Sequence, residues 1–131
     1  MSNRRFYWLK LKEDFFHRND IKIIEAQKNG AQYLIFYLKL LTESIEMNGD
    51  LRFNELLAFD NEMLSTVTNT DIDVVRSALK LFESLGLLEF EEDNTIHMIE
   101  TGVMTGSETA STIRSRRSRA RQKIEHKDTK A

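Results

Sequence analysis

Cysteine and proline are both absent from this 131-residue chain, and no apolar run approaches the roughly eighteen residues of a membrane-spanning helix. The lack of cysteine excludes disulfides and thiolate metal ligands, and it gives no support to a secreted, disulfide-stapled domain. The opening Met-Ser-Asn-Arg-Arg-Phe also lacks the hydrophobic segment of a signal peptide. We therefore expect a soluble intracellular protein with no membrane partner.

Residue patterns that support catalysis are missing as well. The histidines His17, His97 and His126 are scattered, and none has a second ligand at metal-binding spacing. The segment Thr-Gly-Val-Met-Thr-Gly-Ser-Glu lacks the Lys-Ser/Thr ending of a phosphate-binding loop, and no serine stands in a nucleophile elbow. A polar turn explains the acidic residues 91–93 better than a cation site does. We predict that the chain is not an enzyme and holds neither cofactor nor metal.

The net charge of −2 conceals an uneven distribution along the chain. Residues 114–131 contain eight Lys or Arg against two acids, a charge of +6, whereas residues 1–113 contain eleven against nineteen, a charge of −8. The acidic part does not attract nucleic acid by bulk charge, but the basic tail does.

The stretch from residue 63 to residue 98 predicts the centre of the fold. A short apolar segment with Met63 stops at Thr68-Asn69-Thr70, and a long amphipathic helix follows and ends at Gly86. Its apolar residues recur at spacings of three and four: Ile72, Val75, Ala78, Leu79, Phe82 and Leu85. Alternation on both sides of the polar residues 92–94 then predicts a β-hairpin. Helix, turn, helix and hairpin indicate an α+β, mainly α fold, a winged helix-turn-helix with a small hairpin wing.

The other segments predict smaller elements. Residues 6–12 alternate and include aromatics, so we expect a strand that pairs with the hairpin. Asp20 is the expected N-cap of a first helix, and residues 31–47 form a second, longer one. We further predict a short strand at residues 51–53, a brief helix capped by Asn54, a helix starting at Asp60 or Asn61, and a capping box of Thr70 with Asp73.

Residues 31–47 are apolar on nearly every side of the predicted helix. Such a helix is either central to its domain or shared with a partner. Burial in the core is the simpler interpretation, and self-association is the alternative.

Composition divides the chain into three parts. Residues 1–100 form the predicted domain, residues 101–113 have little to bury and read as a linker, and residues 114–131 form a basic tail that we expect to be disordered in isolation.

Several blocks of this sequence resemble the N-terminal domain of phage replisome organisers, which are similar to bacterial primosome proteins of the DnaD type. The resemblance covers roughly residues 4–100 and is carried, in order, by FYWLKLKEDFF from Phe6, IKIIEA from Ile21, YLKLL from Tyr37 and VRSALKLF from Val75. It implies a winged-helix domain in the host-cell cytoplasm that binds repeated sites in double-stranded DNA at a phage replication origin and self-associates there. It also implies recruitment of a host helicase loader through a C-terminal region, which this chain does not contain.

In a helix-turn-helix, the N-terminal half of the second helix enters the major groove. Arg76 is the best candidate for a bidentate guanine contact, and Ser77 with the turn residues Thr68, Asn69 and Thr70 can donate to bases or phosphates. Lys80 is expected to contact a phosphate. The alternative is a solvated face in which Arg76 pairs with Asp73.

The predicted wing carries the four acids Glu89, Glu91, Glu92 and Asp93, so we expect that it does not grip DNA. Phosphate contacts must then come from basic residues near both ends of the chain: Arg4, Arg5, Lys10, Lys12, Arg114, Arg116, Arg117, Arg119, Arg121 and Lys123. The tail is interpreted as an electrostatic clamp. Its alternatives are a solvated linker to a further domain and a nuclear localisation signal.

Three functions are compatible with these patterns. The first is origin-specific DNA binding that seeds a replisome, the second is a transcriptional regulator of the same fold, and the third is a protein-interaction module with little direct DNA binding.

Overall fold

A computed structural model describes residues 8–106 of the chain. After a single 3-10 turn at Phe15–His17, eight elements follow in order. They are α1 (Asn19–Glu25), α2 (Gly30–Glu43), β1 (Asp50–Leu51), α3 (Asn61–Val67), α4 (Ile72–Ser84), β2 (Leu88–Phe90), β3 (Ile96–Met98) and α5 (Thr101–Thr105). The fold is α+β, as predicted, and its order of helix, turn, helix and hairpin is compatible with a winged helix.

The three strands form one antiparallel sheet in the order β1-β3-β2. The predicted hairpin is confirmed as β2 and β3, in which Phe90 lies opposite Ile96. Strand β1 pairs on the other side of β3, with Leu51 also opposite Ile96. Directly opposed residues share a face of the sheet, so these three apolar side chains lie on one side.

The core lies where α2, α4 and the sheet meet. Phe36, Tyr37 and Phe82 are fully buried. The ring centroid of Phe82 lies 6.2 Å from that of Phe36 and 5.3 Å from that of Tyr37. The predicted apolar stripe of α4 is confirmed, because Val75, Ala78, Leu79 and Phe82 are buried while Ile72 and Leu85 are half-buried. Helix α2 therefore occupies the centre of the domain, and Ile35 is its most exposed apolar residue.

The prediction of a strand at residues 6–12 is wrong for the part that the structure describes. Residues 8–12 have no strand structure. The Lys10 amide donates to the Met104 carbonyl at 2.7 Å, and the Lys12 carbonyl accepts from the Phe15 amide at 3.0 Å. The central strand β3 already has β1 on one side and β2 on the other, so it has no free edge for a further strand.

The predicted linker is also wrong over its first residues. Residues 101–105 form α5, in which Thr101, Gly102, Met104 and Thr105 are buried, and Gly106 ends the helix with a φ of 86°. The Thr101 hydroxyl lies 2.7 Å from the Ser44 hydroxyl at the end of α2. Small polar residues suggested a linker, but their size lets α5 pack closely. Residues 107–131, including the rest of the predicted linker and the tail, lie outside the described part.

Local capping differs from the sequence predictions at three places. Helix α1 begins at Asn19, and the Asp20 carboxylate accepts a bond from the next amide, Ile21, instead of capping the helix. No helix follows Asn54, whose side chain accepts from the amides of Leu56 and Leu57 in a tight loop. The N-cap of α4 is Asp71 and not Thr70. The predicted start of α3 at Asp60 or Asn61 is confirmed: the helix begins at Asn61, and Asp60 is the N-cap that accepts from the Met63 amide at 2.8 Å.

Candidate nucleic-acid interface

Helices α3 and α4 are joined by the turn residues Thr68-Asn69-Thr70 and by Asp71, the N-cap of α4. Asn69 has a φ of 50°, a left-handed conformation that asparagine tolerates better than most residues. The Ser65 hydroxyl donates to the Thr70 carbonyl at 2.5 Å, which holds the end of α3 against the start of α4. The turn therefore fixes the relative orientation of the two helices.

Lys39 of α2 adds a contact to this turn that the sequence analysis missed. Its Nζ donates to the Thr68 carbonyl at 2.6 Å, so a positive charge lies beside the turn. The signal was a single lysine with apolar residues on both sides of it in α2. Apolar periodicity registers such a residue only as an interruption.

Helix α4 has one buried face and one polar face. Arg76, Ser77 and Lys80 lie on its exposed side, opposite Val75 and Ala78. The Arg76 side chain is 57% exposed, and its Nη1 lies 3.7 Å from Asp73 Oδ1. An exposed ion pair of this length contributes little, so the guanidinium can exchange it for another acceptor at small cost.

The first turn of α4 is acidic. The Asp71 carboxylate caps the helix by accepting from the Asp73 amide at 3.1 Å, and both residues are exposed. These carboxylates suit the positive end of the helix dipole, but they repel a phosphate. A phosphate contact by α4 must therefore come from its middle, where Arg76 and Lys80 lie.

Thr68 is a correction to the predicted set of DNA-binding residues. It is only 2% exposed, and its hydroxyl donates to the Leu64 carbonyl at 2.6 Å and bonds the Thr70 hydroxyl at 2.9 Å. The hydroxyl thus stabilises the turn and is not available to DNA. Asn69 is exposed and Thr70 is half-buried, so these two turn residues keep access to solvent.

The hairpin tip carries exposed carboxylates, and one arginine ties it to the loop after β1. Arg52 Nη1 donates to the Thr95 hydroxyl at 2.6 Å and to Asp93 at 3.2 Å, and Nη2 donates to the Glu55 carbonyl at 2.8 Å. Hydrogen bonds from Thr95 hold the pKa of Asp93 below its usual value. The tip therefore stays negatively charged at neutral pH.

Comparison with known protein families gives one match. The model of the N-terminal phage replisome organiser matches residues 8–126, most of the chain. The chain belongs to this family. A comparison with curated proteins and one with solved structures both found no match. Membership confirms the resemblance found in the sequence and connects this replisome organiser domain with phage replication.

The family match extends through the basic run to residue 126. The matched range of this replisome organiser domain therefore includes the six cations from Arg114 to Lys123, which lie beyond the described residues. Lys10 and Lys12 are exposed at the other end, as expected of residues that can approach a phosphate. Arg4, Arg5 and the tail cations Arg114, Arg116, Arg117, Arg119, Arg121 and Lys123 lie outside the described part.

No helix in the described part of the replisome organiser domain is long and apolar enough to cross a bilayer. Apolar side chains are nevertheless exposed in the loop after β1, where Phe53 is 61% and Leu56 94% exposed, with Leu57 beside them. This loop lies next to the hairpin tip through the Arg52 contacts.

Proposed function

We propose that this domain binds specific double-stranded DNA sites at a phage replication origin and thereby seeds replisome assembly. The observation that carries the proposal is the position of Arg76, Ser77 and Lys80, which share the exposed face of the helix that follows a helix-turn-helix turn. Membership in the replisome organiser family supports the biological setting.

Arg76 is the residue that reads sequence in this proposal. A guanidinium can donate to O6 and N7 of one guanine, and a good bidentate contact gives about 1–3 kcal/mol of discrimination. The residue needs to give up only its 3.7 Å approach to Asp73. The Asp73 carboxylate is then able to accept a hydrogen bond from a cytosine amino group, so the acidic first turn of α4 also contacts a base.

Phosphate contacts come from the cations around this helix and from the two ends of the chain. Lys80 lies one turn after Arg76 on the exposed face, and Lys39 lies beside the turn. The basic tail acts as a clamp on neighbouring phosphates, because each phosphate it neutralises adds about 0.9 to the salt slope of binding. The acidic hairpin tip does not contact the DNA in this proposal, because its carboxylates repel phosphates.

Footprinting on the phage genome tests the proposal, with three comparisons. Arg76→Ala should flatten the footprint by relaxing sequence preference, and Arg76→Lys should do the same while keeping the charge, because an ammonium cannot form the bidentate contact. Lys22→Ala is the matched control, since it removes an exposed cation from α1 and should leave the pattern unchanged. A chain ending at Ser111 should bind all sites more weakly and with a smaller salt slope.

Two results would contradict the proposal. If Arg76→Lys retains the full footprint, Arg76 is only a phosphate contact. If the shortened chain shows the same salt slope as the full chain, the tail is no clamp.

A transcriptional regulator of the same fold is a second candidate, and footprinting separates it from the first. Protected repeats within the phage replication gene favour origin binding, whereas a protected promoter favours regulation.

Protein interaction is a third candidate, and exposed Phe53, Leu56 and Leu57 together with the acidic hairpin tip favour it. In that case duplex titration should show no sequence preference, and Arg76→Ala should change nothing. The first proposal also includes self-association on adjacent repeats and recruitment of a helicase loader by a longer chain. Footprints measured at increasing protein concentration test the self-association, because cooperative binding fills adjacent repeats together.

A further inference from the structure

The pairing of the three strands gathers ionisable side chains on one face of the sheet. His97 lies opposite Asp50 of β1 and opposite Glu89 of β2, and Glu91 follows two residues after Glu89. Since opposed residues share a face and residues two apart return to it, all four belong to the same side. The other side holds the apolar residues of the core.

Three of these groups come close together. The His97 Nδ1 atom lies 2.6 Å from Asp50 Oδ1, and one ligand-type atom each of Asp50, Glu91 and His97 lies within 4.8 Å of the other two. His97 is only 6% exposed, and its ring packs against Gly49, where a β-carbon would approach the ring Cε1 to 2.8 Å. Gly49 has a φ of 104°. The turn therefore needs glycine, and it holds the imidazole in place.

The charge of this group is not balanced by the cations nearby. Between residues 8 and 106, no lysine or arginine forms an ion pair with Asp50 or Glu91. Arg52, the cation of the same hairpin region, pairs with Asp93 instead. Two carboxylates thus face each other beside one imidazole.

We propose that Asp50, Glu91 and His97 form a binding site for a divalent first-row transition metal ion, of which Zn²⁺ is the natural probe. One imidazole nitrogen and two carboxylate oxygens suit Zn²⁺ and its neighbours better than Mg²⁺ or Ca²⁺, which prefer oxygen ligands alone. Two ligands on a tetrahedral zinc ion lie about 3.3 Å apart, so the Asp50 oxygen, now 2.6 Å from His97 Nδ1, has to move away by about 0.7 Å. The sequence analysis missed this set, because strand pairing alone brings its members together.

A bound ion would have a structural consequence. Asp50 belongs to β1, His97 to β3 and Glu91 to the turn after β2, so one ion would join all three strands. It would also cancel two negative charges near the hairpin tip. The proposed metal site lies on the sheet and not on α4. A test of metal binding is therefore independent of a test of DNA binding.

The competing occupant is a proton shared between Asp50 and Glu91. A protonated Glu91 relieves the repulsion between the carboxylates as a cation would, but only a metal site gives stoichiometric binding of Zn²⁺ at neutral pH. Metal titration therefore distinguishes the two.

Isothermal titration calorimetry of the metal-free full chain with ZnCl₂ at pH 7 tests the proposal. We expect one site in the unmodified protein, at least tenfold weaker binding in Glu91→Gln, and unchanged binding in Glu92→Gln, a neighbouring exposed acid outside the ligand set. Glu91 is exposed, so its substitution should leave the fold intact. The visible absorption of a Co²⁺ complex should likewise weaken in Glu91→Gln and in Asp50→Asn.

Three outcomes would overturn the site. One is an absence of binding up to millimolar ZnCl₂, which leaves the shared proton as the explanation. Another is equal affinity of Glu91→Gln and the unmodified chain, which places the ion elsewhere, for instance at His17 or His126. The third is an equal loss in Glu92→Gln, which indicates general attraction by the acidic tip.

Discussion

Replacing Tyr37 with phenylalanine tests how α1, α2 and the start of α5 are held together. The buried Tyr37 hydroxyl donates to Glu100 Oε1 at 2.5 Å. Arg18 donates to both oxygens of the same carboxylate, at 2.8 and 2.9 Å, and also pairs with Asp20 at 2.7 Å. Glu100 thus receives one neutral and two charged donors, and the phenol is the only one removed by the substitution.

The expected loss of stability is about 1.5–2 kcal/mol. A hydrogen bond to a charged group contributes about 1.5–3 kcal/mol. We expect the lower part of this range, because the Glu100 carboxylate keeps both of its hydrogen bonds from Arg18 after the substitution. The phenyl ring also keeps its packing against Phe82. For a domain of this size, such a loss lowers the melting temperature by about 10 °C.

Urea unfolding followed by circular dichroism measures this loss, with Tyr33→Phe as the control. Tyr33 lies one turn earlier in α2, is half-buried, and makes no side-chain hydrogen bond in the described part of the chain. Its substitution should therefore cost less than about 0.5 kcal/mol. Equal effects of the two substitutions, or no effect of Tyr37→Phe, would refute the role assigned to the hydroxyl.

The pH dependence gives a second check. Burial, and then the negative charge of Glu100, raise the pKa of Tyr37 well above 10.0. A raised phenol pKa means that the stabilisation is complete below the unfolded pKa and is lost as pH rises toward the folded one. The difference between the unmodified chain and Tyr37→Phe should therefore shrink above about pH 10.

Three further predictions concern other parts of the domain. Met104→Ala should cost roughly 2–4 kcal/mol in urea unfolding, because this side chain of α5 is only 6% exposed within the core. Asn69→Gly should be nearly neutral while Asn69→Val costs about 1–2 kcal/mol, since the residue has a φ of 50°. In metal-free buffer at pH 7, Glu91→Gln should raise the free energy of unfolding by less than about 1 kcal/mol, because the raised pKa of Glu91 shows that its ionised form is unfavourable in the folded chain. The gain should disappear below about pH 4.5, where the unmodified carboxyl is protonated in both the folded and the unfolded chain.

Local patterns predicted the elements whose signals lie within one segment. The apolar spacing of three and four gave α4 and its buried residues, and the turn at Asn69 and the glycine Gly86 gave the breaks around it. Alternation about a polar tip gave the hairpin. In each case the residues that decide the structure are neighbours in sequence, so propensity and burial favour the same conformation.

Contacts between distant segments explain what the sequence could not give. Residues 8–12 alternate like a strand, but the Lys10 amide instead bonds the Met104 carbonyl of α5. Residues 101–105 have the composition of a linker, yet they pack because Ser44 lies within hydrogen-bonding distance of Thr101. Thr68 looked like a DNA donor in sequence, whereas the fold uses its hydroxyl inside the turn. The first two of these partners are distant in sequence, whereas Leu64 lies only four residues before Thr68, within the helix that the turn follows.

The distribution of charge has a consequence for how such a domain would hold DNA. Near α4 the described cations are Arg76, Lys80 and Lys39, so even if all three contacted phosphates the salt slope would be at most about 2.7 on duplex DNA. Proteins that bind with 6–10 contacts reach about twice that slope or more, so the helix by itself can select a sequence but supplies little affinity. Under the proposed function, the missing affinity would come from two physical sources, the tail and a second domain on an adjacent repeat, because linking two weak sites raises their occupancy without any new contact. Sequence choice by α4 and affinity from the tail and from repeated sites would then be separable properties. An organiser that needs several adjacent repeats before it binds firmly would assemble at an origin and not at isolated matches elsewhere.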